Sequence, residues 1–240
     1  MEISLEIVCI HGAGESSAVW APQIEALPHV RALDLPGHGP AGGTGLTSIR
    51  AYADWVAGRF SGSTPLLLAG HSMGGAIVLD LALRPDPPSW LAGLVLVGAG
   101  GRLRVHPDLF GLLETDFESA VDWIAQRSIA PPNRDLVRPA LVKSCRQAGP
   151  DVLRGDLEAC DSFDVLDRLS DITIPTAVVG AREDFMTPLK YSERLREGIP
   201  GSTLLVAEGS GHMVMLERPE TVCTAIEGLL SRVSAGEPSP

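Results

Sequence analysis

Pro65-Leu66-Leu67-Leu68-Ala69-Gly70-His71-Ser72-Met73-Gly74-Gly75 is the stretch from which the fold can be read. An apolar run too short for a helix core ends in Gly70-His71-Ser72-Met73-Gly74, and small and aliphatic residues continue to Leu83. The pattern is Gly-x-Ser-x-Gly set between a strand and a helix. So tight a turn forces its central residue into a strained backbone region, and the flanking glycines leave room where side chains would clash. The Ser72 hydroxyl is lifted off the backbone at a helix N-terminus, whose dipole favours developing negative charge. A chance match is conceivable among 26 glycines. The strand before it and the helix after it argue against chance.

The same alternation extends in both directions. Short apolar runs stand at Leu5–Ile10, Val30–Leu33, Leu66–Ala69, Leu91–Val97, Thr173–Val179 and Thr203–Val206, bounded by Gly, Pro or Asp. Their continuous apolar character predicts strands buried on both faces of a parallel sheet. Segments with helical spacing lie between them, at Ser17–Leu27, Ser48–Phe60, Met73–Leu83, Leu189–Glu197 and Pro219–Val233, the last opening on a first-turn proline. The expectation is an α/β fold with a doubly wound, mainly parallel sheet of about six strands. From Gly101 to Leu169 the strands stop. Helix-compatible pieces at Leu109–Glu114, Ser119–Arg127, Asp135–Arg146 and Asp151–Ala159 predict a small helical cap. The division is a core over 1–100 and 170–233, a cap over 101–169 and a flexible tail over 234–240.

A serine hydroxyl needs a base, and the base needs an orienting carboxylate. Of six histidines, His212 stands in Gly209-Ser210-Gly211-His212-Met213, after the last strand and before the last helix. That position faces the carboxyl edge of the sheet, where open α/β sheets bind ligands. The loop Gly180-Ala181-Arg182-Glu183-Asp184-Phe185-Met186-Thr187-Pro188 offers two acids, Glu183 and Asp184, whereas Gly98-Ala99-Gly100-Gly101 offers none. Acyl transfer also needs donors for an oxyanion. The backbone N–H groups of Ala13, in the loop His11-Gly12-Ala13-Gly14, and of Met73 are the candidates. That loop lacks the spacing and the lysine of a phosphate loop. Asp34-Leu35-Pro36-Gly37-His38-Gly39 is a tight turn, with His38 read as structural. The cap supplies apolar residues for a substrate wall, Leu109, Phe110, Leu113 and Trp123, and Met213 adjoins the base; packing onto the core is the competing reading for such residues.

Composition narrows the partners. The chain has 240 residues, 45% hydrophobic and 20% charged, with a formal net charge of −11. That balance disfavours nucleic acid, because phosphate neutralisation needs a basic surface. It disfavours an anionic membrane equally. No apolar run approaches the roughly 18 residues of a spanning helix, and Met1–Ser4 carries no basic leader. Cys9, Cys145, Cys160 and Cys223 form no CxxC pair and no zinc spacing, so no metal is expected. Free thiols in a reducing cytoplasm are the reading, with a Cys145–Cys160 bridge left open.

Together these residues resemble the α/β-hydrolase superfamily. The likeness spans Leu5 to Leu230, with its pieces in family order: the HGxG loop at His11–Gly14, DLPGHG at Asp34–Gly39, GHSMGG at Gly70–Gly75, a cap, GxxxD at Gly180–Asp184 and GxGH at Gly209–His212. The resemblance implies a catalytic Ser72–His212–Asp184 triad, with an oxyanion hole at Ala13 and Met73 and no cofactor. It also implies a sheet lacking the family's first two strands, since four residues before Leu5 cannot build them. Within the family, Ser72 argues against dehalogenases and epoxide hydrolases, which use aspartate there. Met213 stands where carbon–carbon bond hydrolases carry tryptophan, the elbow differs from the GGSWG of proline iminopeptidases, and hydroxynitrile lyases need a lysine near the site, whereas the only two lysines are Lys143 and Lys190. What remains is a carboxylesterase acting on small to medium acyl esters. A thioesterase, lactonase, menaquinone-pathway-type lyase or perhydrolase is the alternative, and a small-ligand receptor a more distant one.

Overall fold

Six apolar runs pair edge to edge in the computed structural model, which describes residues 5–235. They are β1 (Glu6–Ile10), β2 (Val30–Leu33), β3 (Leu66–His71), β4 (Leu91–Val97), β5 (Thr176–Ala181) and β6 (Thr203–Ala207). The order is β2-β1-β3-β4-β5-β6, and every pairing is parallel. All six residues of β3 are buried, as a strand covered on both faces must be. Strand order reverses between β1 and β3, where Ile10 lies opposite Gly70. The loops that leave those two strands therefore rise side by side at the switch point, where such sheets bind ligands.

Nine helices follow in the described residues: α1 (Ala21–Ala26), α2 (Ile49–Arg59), α3 (Met73–Ala82), α4 (Pro107–Thr115), α5 (Phe117–Ser128), α6 (Arg134–Asp161), α7 (Lys190–Gly198), α8 (Val214–Glu217) and α9 (Pro219–Ser234). Period-two alternation along β3 divides the core. Leu66 and Leu68 pack with Tyr52 and Val56 of α2 and Ile77 and Leu81 of α3. Leu67 and Ala69 face the other way, toward Val222, Ile226 and Leu229 of α9. Ser48 caps α2 by accepting the Ala51 N–H (3.2 Å), and Asp116 caps α5 by accepting the Ser119 N–H (3.1 Å).

Helices α4 to α6 form one excursion between β4 and β5. Its ends meet in an antiparallel bridge between Arg102 and Asp164, and the Val165 N–H donates to the Gly101 carbonyl (2.7 Å). The excursion builds no core of its own. Leu109, Val121, Ile124 and Leu141 join the α9 side of the main core.

Three local details differ from the sequence reading. β5 begins at Thr176 rather than Thr173, because Pro175 has no N–H to give a central strand. The two helices expected at 135–146 and 151–159 run on as α6, kinked at Gly149 (φ 80°) just before Pro150. The four-residue α8 was not anticipated. Of the tail expected at 234–240, Ser234 closes α9, and residues 236–240 lie outside the described residues. All four cysteines are free thiols, so Cys145 and Cys160 do not pair. Among the described residues no helix is long and apolar enough to cross a membrane.

Candidate active site

Ser72 sits between β3 and α3 with φ 51° and ψ −113°. Left-handed backbone at a non-glycine residue costs roughly 1–3 kcal/mol and persists only where the surroundings enforce it. Here the enforcement is visible. The Ser72 N–H donates to the Val97 carbonyl (3.0 Å). A Cβ on Gly70 would lie 2.3 Å from the Gly74 carbonyl oxygen, and one on Gly74 would lie 2.3 Å from that of Ile10. Only glycine fits on either side, so the turn closes and the half-buried Ser72 faces the cavity above the sheet.

His212 and Asp184 come together over the ends of β5 and β6. The His212 Nδ1–H donates to Asp184 Oδ2 at 2.8 Å, which leaves Nε2 as the basic nitrogen. Asp184 Oδ1 accepts the N–H groups of Met186 and Thr187, both at 2.8 Å. Thr187 Oγ1 lies 2.8 Å from the Gly98 carbonyl and 2.9 Å from Asp184 Oδ2, and shares its one proton between them. Burial would raise the Asp184 carboxyl, but the His212 charge and these donors hold it below the usual carboxylate range. Burial would lower His212, yet the Asp184 carboxylate, helped by Glu15 and Glu217, raises it above an ordinary imidazole. Glu183, the other acid of the loop, points elsewhere. Its carboxylate accepts the Ser210 N–H (2.9 Å), and so secures the loop that carries His212.

A cavity of about 580 Å³ opens above Ser72 and His212. No hydrogen bond joins those two side chains among the described contacts; they meet by facing this cavity. Ala13 lines it too. The N–H groups on either side of Ala13 are committed, Gly12 to Glu15 (2.8 Å) and Gly14 to Asp156 (2.8 Å). Met73 is the first residue of α3, where the helix offers its N–H no acceptor. His11, pushed down to about 4 by burial and by the nearby His38, is neutral. It donates from Nδ1 to the Gly12 carbonyl (2.8 Å) and accepts the Leu35 N–H at Nε2 (3.1 Å), which braces the same loop.

Of the residues expected to line a substrate wall, Leu109 and Trp123 do so, with Ile124, Leu141, Leu153 and Leu157. Phe110, Leu113 and Met213 do not. Leu113 lies one turn beyond Leu109 and packs into the core below, with Phe110 against the same cluster. Met213, the residue before the short α8, is fully buried in the core cluster with Val214 and Met215. The mouth is cationic and aromatic: Arg104, His106, the exposed Phe185, and Arg127, whose guanidinium lies 3.9 Å from the Trp123 ring centre.

Three buried carboxylates escaped the sequence reading. Glu15 accepts from Gly12 and His71. Asp156 of α6 accepts the Gly14 N–H, the His38 Nε2–H (2.8 Å) and the Tyr52 hydroxyl (2.6 Å). Glu217 of α8 accepts the N–H groups of Gly211 and Ala130 (3.0 Å each) and the Asn133 amide (2.7 Å), fastening the His212 loop to the excursion. Each also has a partner far away in sequence, His71 for Glu15, Gly14, His38 and Tyr52 for Asp156, and Ala130 and Asn133 for Glu217, and no local spacing reveals those pairs.

The sheet order, the serine turn and the paired His212 and Asp184 define one class of protein. The model of the alpha/beta hydrolase family matches residues 7–225, and the chain belongs to that family. A pimeloyl-[acyl-carrier protein] methyl ester esterase of Neisseria meningitidis serogroup A is 28% identical over 250 residues, covering 95% of this chain and 79% of its own. A protein of Rhizobium rhizogenes named as a carbamate hydrolase, RutD, is 31% identical over 242 residues, covering 89% and 88%. Among solved structures, a thermophilic esterase superposes with a TM-score of 0.83 at 34% identity, over 96% of this chain and 91% of its own.

Proposed function

We propose that this protein is a serine carboxylesterase that cleaves small to medium acyl esters through an acyl-enzyme. One observation carries the reading: a strained Ser72 faces the same cavity as a His212 ring whose far nitrogen is hydrogen-bonded to buried Asp184. The esterase names of the relatives and the structural neighbour support it. In this mechanism Ser72 Oγ attacks the ester carbonyl while His212 Nε2 takes its proton. The oxyanion is held by the Ala13 and Met73 N–H groups. His212 returns the proton to the leaving alcohol, then activates water to release the acid. Asp184 fixes the tautomer and stabilises the imidazolium that forms. The apolar floor of the cavity receives the acyl chain. Three buried free thiols favour a reducing compartment such as the cytoplasm.

The test is hydrolysis of p-nitrophenyl esters from acetate to decanoate beside Ser72→Ala. Turnover lost in the variant, with labelling of wild-type Ser72 by a fluorophosphonate, is the expected result. Retained turnover in Ser72→Ala would overturn the nucleophile. Labelling without ester turnover would move the substrate class to thioesters or lactones.

A further inference from the structure

A buried carboxylate at the edge of the site acts on His212 at a distance through its charge, yet makes its contacts elsewhere. Glu15 is 3% exposed and lines the cavity beside Ala13 and Ser72. Its Oε2 accepts the Gly12 N–H (2.8 Å) and lies 3.0 Å from His71 Nδ1. The other nitrogen of that ring, Nε2, lies 3.0 Å from the main-chain carbonyl of His212. The His71 and His212 rings stand 4.6 Å apart, centre to centre. The packing around this path is closed: a Cβ on Gly12 would meet His71 Nδ1 at 3.0 Å and Glu15 Oε2 at 3.1 Å.

Proton count decides what the path is. A carbonyl oxygen only accepts, so His71 Nε2 must carry a proton. Burial would raise the Glu15 carboxyl, but His71 and the Gly12 N–H hold it below the ordinary range, so it is ionised and also only accepts. Both ring nitrogens therefore donate. An amide in place of the carboxylate would break this arrangement. One carboxylate oxygen accepts from both Gly12 and His71; an amide oxygen there supplies no anion to hold the second ring proton, and an amide N–H₂ there donates to the ring but cannot accept the Gly12 N–H.

We infer that Glu15 is a positioning residue: its carboxylate keeps the His71 ring donating on both sides, and that ring ties the Gly12–Glu15 loop and the serine turn to the main chain of His212. The chain Gly12 N–H, Glu15, His71, His212 carbonyl links the three loops that bring oxyanion donor, nucleophile and base together. Each comes from a different strand end, so their relative placement depends on contacts of this kind. The inference rests on the serine-triad reading for its kinetic consequence, but not for its proton count.

Two readouts test it. In protein labelled with ¹⁵N-histidine, the ring assigned to His71 by its loss in His71→Asn shows both nitrogens protonated. In Glu15→Gln one of those nitrogens loses its proton. In the same variant kcat for p-nitrophenyl butyrate falls about tenfold, the effect of misplacing reacting groups by a fraction of an ångström. KM moves by less than about twofold, because the acyl wall is untouched. A singly protonated His71 ring in the wild type overturns the inference, even if Glu15→Gln does not fold. So does wild-type kcat in folded Glu15→Gln. Failure of a fluorophosphonate to label wild-type Ser72 would instead sink the serine-triad reading, while the ring spectrum still decides the Glu15–His71 link.

Discussion

Ser72 and His212 announce themselves in the sequence, each by glycines and by its place after a strand. The candidate acid is less plainly marked: the loop offers Glu183 and Asp184 side by side, and only the GxxxD likeness at Gly180–Asp184 favours Asp184. Adjacent residues in a turning loop point in different directions, and the fold sends Asp184 to the ring and Glu183 to the Ser210 main chain. The proposed chemistry has a pH signature at this scale. Catalysis needs neutral His212, and Asp184 holds the proton on it more tightly than on a free imidazole. As pH falls, kcat/KM therefore drops through a midpoint above the ordinary 6.5. Asp184→Asn removes the anion, so the midpoint shifts to lower pH, and kcat falls by about 10⁴ through the wrong tautomer. A pH–rate profile of both proteins checks the direction; a midpoint that stays put in the variant contradicts the assigned role.

Elements act here through close approach and long-range tethers. The turn between β3 and α3 exists because backbone meets backbone across Gly70 and Gly74. Gly74→Ala would push a methyl against the Ile10 carbonyl, which cannot yield without moving β1. Its expected cost is at least about 3 kcal/mol, with turnover lost even in whatever folds. Urea unfolding reads it directly, and wild-type stability would contradict it. The tether is Asp156, which reaches from α6 to the loop after β1, to His38 and to Tyr52. Asp156→Ala leaves buried donors without an acceptor and should destabilise by about 3–5 kcal/mol. Burial would lower His38, but Asp156 raises it above the ordinary 6.5. The stability this pair adds is therefore complete below that ordinary value and lost as pH rises through the higher folded one. Unfolding midpoints across that range should fall with pH more steeply in the wild type than in Asp156→Asn.

At the scale of the whole molecule, the cavity is the joint product of sheet edge and excursion. Its floor of Leu141, Leu153 and Leu157 is supplied by α6, while its chemistry is supplied by the strand ends. A space of about 580 Å³ suits a short acyl chain and its alcohol, so turnover should peak among short to medium p-nitrophenyl esters. Leu157→Phe fills the floor and should move that optimum to shorter chains with little change on acetate. The excursion is also a structural partner of the site: through Glu217, Asn133 and Ala130 it grips the His212 loop, and through Asp156 the loop of Ala13.

The sequence by itself determined the six strands, their parallel arrangement and the serine and histidine of the site. Those features rest on local physics: apolar runs buried on both faces, glycines that permit one tight turn, and loops that must leave the carboxyl edge of a parallel sheet. Only the tertiary structure put Asp184 against the His212 ring and Glu183 against the Ser210 main chain, placed Phe110, Leu113 and Met213 off the cavity wall, and brought Glu15, Asp156 and Glu217 to the site. Those outcomes depend on which side chains meet across distances of tens to hundreds of residues, and a buried carboxylate carries no mark of its partner until the chain has closed around both.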